Sequence, residues 1–590
     1  MSHAGEGAGE ARAGRAWHPL RRGRGLVRLW RREGPAGVIR RLRTRPGASP
    51  SGTGPSQVPL ERQYRLWRSR VELGTSALRR LAEEARSWEA PVPLVFLIRC
   101  DAGGSELVRA TLRSLREQPY PFWRAVVGAS PESAGESRAD PRISWVAVDP
   151  GAGALAALLA AAAPRPDDVV AVLPPGVRIT RHGLLEVARA LRADPGCDLL
   201  YTDWDEIDGG GRRRLPHFAY GWSPELLLGC DHLRGLVLQR AELLTATGGW
   251  RAEDAPTQIY AQRLRATDRA RRPTHLPVVA LSRPADAEPD AGIDASRRCV
   301  EAWLRARGAR ARVTIGREPG VTDVRWELTG APEVDIVIPT RDRADLLRRC
   351  LESLEATTYP ARRILIVDND SQDPATLDYL AGLPHRVIRH PGAFNYSAIV
   401  NRAAQAGDAP YLLLLNNDTV VRSPDWLEAM LGWCQQPGVG AVGARLLFAD
   451  GRVQHEGVGV GIGRIAANLD LGWSATRACS AVTGACMLIR RAAFEAVNGF
   501  DDDLPVVFND VDFCLRLWRA GWRVLMTPLA ELRHDEGGSR GSLAPEEDHR
   551  RFALRWGEES RLRDAFLGPH VAWPRPLTLR IPARTPRRSG

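Results

Sequence analysis

Short apolar runs alternate with stretches of helical periodicity through most of the chain. Val92–Ile98 is one such run and Val334–Pro339 another. After each come apolar positions three and four residues apart, then a Tyr-Pro pair. Apolar residues at that spacing predict an amphipathic helix, and a short unbroken apolar run predicts a buried strand. Strand followed by helix, repeated, predicts parallel βαβ units. The pattern also repeats at long range. Leu112, Ser114, Leu115, Tyr120 and Pro121 stand opposite Leu351, Ser353, Leu354, Tyr359 and Pro360 at a constant offset of 239. Later, Val169–Val177 faces Leu412–Val420, and Gly235–Trp250 faces Gly484–Phe500. Such self-similarity predicts two copies of one architecture. The expected fold class is therefore α/β, with two tandem Rossmann-like domains of mostly parallel sheet over 91–320 and 332–560, joined by a linker at 321–331. Ahead of them, Tyr64, Trp67, Val71, Leu78, Leu81 and Ala85 recur at helical spacing and predict one helix over 61–89, ended by Pro91 and Pro93.

Composition changes this picture only at the ends. The chain has 590 residues and a net charge of +12. Residues 1–50 hold 12 Arg against 3 Glu, and residues 571–590 hold 5 Arg and no acid. With +9 and +5 at the ends, the remainder of the chain sums to −2. A near-neutral body argues against a nucleic-acid enzyme with a basic channel. The basic ends, 1–60 and 561–590, fit arms that touch an anionic surface such as the inner face of a membrane. They fit equally a solvated Arg-rich tail. No apolar run is long enough for a transmembrane helix. Nine scattered Cys with no CxxC pair point to a reducing, cytoplasmic compartment and no zinc knuckle.

In open parallel sheets the ligand sits beyond the carboxyl ends of the strands. In the second copy those ends are polar three times in succession: Pro339-Thr340-Arg341, then Val367-Asp368-Asn369-Asp370-Ser371, then Asn416-Asn417-Asp418-Thr419. Acidic and amide oxygens beside an apolar wall suit a nucleotide diphosphate bridged by a hard divalent cation. No Walker or dinucleotide fingerprint is present, and the Gly457–Gly463 run reads as a Gly-rich strand or loop. Asp510 falls at a predicted helix start, where a carboxylate is favoured by the helix dipole and where plain N-capping is the simpler explanation. His534 follows a predicted strand, Trp522–Pro528, in a Gly/Ser-rich loop and is a candidate metal ligand.

The ordered set of segments 339–343 (PTRDR), 367–371 (VDNDS), 394–397 (FNYS), 416–418 (NND), 482–491 (VTGACMLIRR), 508–517 (FNDVDFCLRL) and 533–541 (RHDEGGSRG) resembles the family 2 glycosyltransferases, and within them the O-antigen and rhamnan-type branch. The resemblance spans nearly all of 332–560. It implies a GT-A fold, a nucleotide-sugar donor, a glycan or lipid-linked glycan acceptor, Mg²⁺ or Mn²⁺, and transfer with inversion. It places Thr340, Arg341, Asp368, Asn416, Asn417 and Asp418 around the donor, Asp418 and His534 on the metal, and Asp510 as the base acting on the acceptor. Asn416 stands where many members have the first acid of a DxD motif, and Asn509 replaces the Glu of an ED pair. Gly484-Ala485-Cys486 matches the acceptor-side wall, and a packing contact explains it equally well.

The first copy keeps the scaffold and lacks the acids. Ala129 stands opposite Asp368, Pro174-Pro175-Gly176 opposite Asn416–Asp418, and residues 255–264 have no acid opposite Asp510. Asp203 and Asp205 follow a different strand and are expected to be structural or to line an acceptor groove. The reading that follows is one metal-dependent glycosyltransferase site in the second copy, working on a cell-surface polysaccharide and associating peripherally with membrane. A carbohydrate-binding scaffold without activity and a two-site polymerase are the alternatives.

Overall fold

The structure, a computed structural model, describes residues 60–582 apart from 101–103, 129–139, 150, 286–291, 463–464, 473, 536–545, 558–561 and 573–577. The basic arm at 1–59, Ala129, the Gly/Ser-rich segment after Asp535 and the end of the basic tail at 583–590 lie outside the described residues. Pro55–Gly590 forms one unit.

The chain enters on two helices, Leu60–Val71 and Thr75–Arg86, instead of the single helix expected over 61–89. Gly74 interrupts them in an extended conformation and caps the second. Glycine costs about 1 kcal/mol in a helix interior, so a break there is inexpensive.

The first sheet contains β1 (Leu94–Arg99), β2 (Trp123–Gly128), β3 (Ile143–Val146), β4 (Val169–Val172), β5 (Arg178–Ile179), β6 (Leu199–Ile207), β7 (Arg213–His217), β8 (Val237–Arg240) and β9 (Pro273–Pro284). Its order is β3-β2-β1-β4-β8-β6-β9-β5, with β7 on β6. A hairpin, β10 (Ala311–Ile315) and β11 (Thr322–Trp326), follows. So the segment expected to be a linker is in part a strand. Val313 and Val324 of this hairpin are buried, and Trp326 meets Trp433 edge to face at 5.6 Å.

The second sheet begins with β12 (Val334–Thr340), β13 (Arg362–Asp368), β14 (Arg386–Arg389), β15 (Tyr411–Leu415) and β16 (Thr419–Val421). Next come β17 (Val439–Leu447) and β18 (Val453–His455), and then a small separate ribbon, β19 (Val458–Val460) with β20 (Ala466–Asn468). The sheet closes with β21 (Arg477–Ala478), β22 (Cys486–Arg490) and β23 (Arg523–His534). The order is β14-β13-β12-β15-β22-β17-β23-β16, with β18 on β17 and β21 on β23. Strand for strand this is the order of the first sheet. In both, the four strands on one side run parallel and the remainder is mixed. The α/β class and two sheet bodies are thus as the sequence pattern predicts.

One buried apolar cluster runs through both sheets, from Tyr201, Leu226 and Leu264 to Ile336, Trp426 and Leu488. Polar bonds cross the same boundary. The Tyr220 hydroxyl donates to the Ala478 carbonyl at 2.8 Å, and the Ala478 N–H donates to Ser223 Oγ at 3.0 Å. Residues 562–572 strap the two halves together. Asp564 is half-buried and accepts from Val460 N, Ser480 Oγ, Phe566 N and Leu567 N; Phe566 stacks on Tyr220; His570 meets Trp67 edge to face. Among the described residues no helix is long and apolar enough to cross a membrane, and the nine Cys form no disulfide.

Candidate active site

The carboxyl ends of β12, β13 and β15 lie side by side because β12 pairs in parallel with both neighbours. That register sets Thr340 opposite Asp368. Asn417 Nδ2 reaches back and donates to Thr340 Oγ1 at 3.1 Å, joining the third polar strand end to the first. Asp368 is fully buried; it accepts from Ser371 N at 3.1 Å and pairs with the Arg389 guanidinium. Arg341 stays half exposed at the rim, its Nε 3.8 Å from Asp342. The two loops are stitched together by Asp342, whose Oδ1 accepts from Gln372 N and Asp373 N. Those backbone donors hold the Asp342 carboxyl below the usual carboxylate range. Asp342 (φ 48°) and Asp370 (φ 61°) both sit in the left-handed region that costs a non-glycine residue energy, a strain that concentrates at functional loops.

Asp418 and His534 come together through strand pairing. β16 runs antiparallel to β23, with Thr419 opposite His534. His534 Nε2 lies 3.1 Å from Asp418 Oδ1. The contact is close but poorly aligned, and Asp418 Oδ1 is buried without a hydrogen-bond partner among the described residues. The other ring nitrogen, Nδ1, faces Gln454 Oε1 at 2.8 Å. His534 is therefore the last residue of a strand, where the sequence reading put it in a loop. Pro528 looked like a strand end, but β23 continues past it through an irregularity, since Ala444 pairs with Thr527 and Arg445 with Glu531. Proline is tolerated at such bulges.

Asp510 lies in the first turn of the helix Asn509–Arg519. Phe508, just before that helix, takes φ 63°, another left-handed non-glycine residue. Asp510 Oδ2 accepts from Gly484 N at 2.9 Å and Oδ1 from Val511 N at 2.8 Å. Gly484 is required there, because a Cβ would come 2.8 Å from the Tyr396 hydroxyl, which donates to the Gly484 carbonyl. The next residue, Ala485, accepts from Asn416 N at 3.0 Å. The segment Thr483–Ala485 thus touches both the Asn416–Asp418 strand end and Asp510.

Several contributors were given no role from the sequence. The FNYS segment supplies Asn395, which caps its own helix and donates to the Asp502 carbonyl, and Ser397, which donates to the Leu504 carbonyl. Both hold the chain leading into Asp510. Gln454 and His455 precede the Gly-rich ribbon; His455 is buried, its Nδ1 2.9 Å from Asn468 Oδ1 and its Nε2 accepting from Gly457 N. Three polar residues in a row before a Gly-rich run were the available signal. Cys350 and Thr419 Oγ1 lie 3.8 Å apart, and burial pushes the thiol up to about 12, which favours its protonated form.

In the first sheet the matching corner is filled. Pro284 ends β9 as His534 ends β23. Gly176 (φ 86°) follows β4, and a Cβ on it would lie 3.2 Å from Leu107 and 3.3 Å from Pro284. Asp203 and Asp205 are buried in β6 and already engaged. Asp203 pairs with His275 at 2.8 Å; Asp205 accepts from Tyr64, Arg213 and Ser282.

These elements were compared with known proteins. Residues 335–497 match the sequence model of glycosyl transferase family 2. The matched segment takes in Thr340, Arg341, Asp368, Asn416–Asp418 and Gly484, and stops short of Asp510 and His534. Over a longer stretch the chain is similar to an O-antigen biosynthesis protein, RfbC, of Myxococcus xanthus, 35% identical over 541 residues, which is 84% of this chain and 41% of that protein. It is 36% identical to an uncharacterised protein, y4gI, of Sinorhizobium fredii over 62% of this chain and 44% of that one. The chain therefore spans less than half the length of either. It is also 28% identical, over 35% of its length and 77% of the relative's, to an N-acetylglucosaminyl-diphospho-decaprenol L-rhamnosyltransferase of Mycobacterium tuberculosis.

Proposed function

We propose that the chain is a glycosyltransferase of the GT-A type, moving a sugar from a nucleotide diphosphate to a glycan or lipid-linked glycan acceptor with inversion, in the building of a surface polysaccharide. The observation that carries this reading is the buried Asp418 Oδ1, which accepts no hydrogen bond among the described residues, set 3.1 Å from His534 Nε2 at the end of the sheet that also presents Asp510. A carboxylate oxygen and an imidazole nitrogen suit Mg²⁺ or Mn²⁺. Among the described residues no third His, Cys, Asp or Glu joins them, so phosphate oxygens and water would complete the shell, as is usual for Mg²⁺. When bound, such a cation would offset the charge that develops on the departing diphosphate. Asp368, Thr340, Arg341, Asn416 and Asn417 form the donor pocket in this reading, with the Asp368 carboxylate held between Ser371 N and Arg389 for a ribose or base. Asp510, aimed by Gly484 N and Val511 N, takes the proton of the attacking hydroxyl.

The same reading makes the first copy silent, since Leu107 and Pro284 occupy the corner that Asp418 and His534 hold in the second. The two-site polymerase is disfavoured on that ground. The basic ends are proposed to hold the enzyme at an anionic membrane surface. The decisive experiment is calorimetric titration of nucleoside diphosphates with and without Mn²⁺, on wild type and Asp418→Ala. Binding that needs Mn²⁺ in the wild type and is lost in the variant supports the site. Metal-independent binding in both removes it.

A further inference from the structure

Gln454 has no assigned part in the reaction, yet it is buried on β18 and its amide oxygen lies 2.8 Å from His534 Nδ1. β18 pairs with β17, and β17 in turn pairs with β23, so the same sheet that delivers His534 delivers the group facing its far side. A neutral imidazole carries one proton, and the partner of one nitrogen decides which nitrogen keeps a lone pair. Two arrangements are available. In one, Nδ1–H donates to Gln454 Oε1 and the Nε2 lone pair faces Asp418. In the other, the Gln454 amide is turned to donate to Nδ1, and Nε2–H faces Asp418. The second would draw Nε2–H into line with the carboxylate. Instead Nε2 stands 3.1 Å from Asp418 Oδ1 and out of line, and Oδ1 makes no hydrogen bond. Two electron-rich atoms side by side in a buried corner are what a cation site requires.

We propose that Gln454 is a positioning residue that holds His534 in the tautomer with its proton on Nδ1, leaving the Nε2 lone pair beside Asp418. Its value for catalysis rests on the divalent-metal reading above; the tautomer itself does not. Groups that hold a ligating histidine in this way typically change metal affinity by about 10–100-fold when removed. Gln454→Leu keeps bulk and loses the acceptor. Gln454→Glu keeps an acceptor for Nδ1–H.

The test uses the full chain labelled with ¹⁵N-histidine, free of metal and nucleotide, well above the ordinary imidazole titration range. Long-range ¹H–¹⁵N correlation reads the tautomer, with the His534 signal assigned by its loss in His534→Gln. Wild type and Gln454→Glu should show the Nδ1–H form, and Gln454→Leu should lose it. Titration with Mn²⁺ alone should then show affinity about 10–100-fold weaker in Gln454→Leu and restored in Gln454→Glu. A Gln454→Leu protein that keeps the Nδ1–H form overturns the proposal, whatever its affinity. A tautomer that follows residue 454 in a wild type that binds no Mn²⁺ upholds the positioning and removes the metal reading instead.

Discussion

Asp510 accepts from two backbone N–H groups, so its replacement by Asn changes charge and basicity while leaving size nearly constant. Transfer by Asp510→Asn is expected to fall about 10²–10⁴-fold, the usual span for loss of a general base, with donor binding retained. Steady-state transfer and donor titration on one preparation check both halves. A second residue contributes to acid stability. Burial drives the His232 imidazole down to about 3, with its ring nitrogens out of contact with solvent. The unfolded chain would take up that proton near the ordinary value of about 6.5, so between these values the unfolded state binds a proton that the fold refuses. Stability should therefore drop as pH falls from about 6.5 towards 3, with a slope of up to about 1.4 kcal/mol per pH unit from this group. Thermal melts across that window should be flatter for His232→Leu than for wild type.

At the scale of elements, the helix Glu546–Trp556 braces the loop that leads into Asp510. Asp548, almost fully buried, accepts from both Val506 N and Val507 N, and Trp556 Nε1 and Arg555 both bond Asp512. Removing the Asp548 carboxylate takes the acceptor from two backbone donors on half-buried residues, at about 1 kcal/mol each. Asp548→Ala should lower the melting temperature and slow transfer while leaving metal-dependent nucleotide binding unchanged, because Asp418 and His534 lie on other elements. Periodicity made most of these elements legible, since β12, β13, β15, β22 and the first part of β23 coincide with apolar runs. It failed where register decides. Nothing local to Pro528 says that a strand resumes beyond it to place His534, because the bulge exists only against β17. The Gln454–His534 pair likewise arises from two successive strand pairings across 80 residues. Asp418, Asp368 and Asp510 were legible because strand ends and helix starts are local features; their contacts with Gly484, Arg389 and Ser371 were not. The hairpin Ala311–Trp326 was taken in part for a linker although Glu318-Pro319-Gly320 marks its turn.

At the scale of the molecule, the first copy serves the second through shared packing. Tyr220, Ser223 and Phe566 join the halves, and the Tyr64–Asp205–Arg213–Glu72 network fastens the entering helix to β6 and β7. Asp205 is fully buried with Arg213 nearly so, and breaking such a pair from one side costs about 3–5 kcal/mol. Asp205→Ala should lower the melting temperature markedly, yet nucleotide release per folded molecule should match wild type. Loss of turnover at unchanged stability would instead assign Asp205 to chemistry.

The Arg70 guanidinium donates to the carbonyl of Pro582, and Leu579 and Ile581 pack against the cluster built on Tyr64 and Trp67. The first described helix and the last described residues are therefore neighbours, and one small aromatic cluster acts as a clasp on both: loosening it at Trp67 would release the entering helix and the residues around Leu579 together.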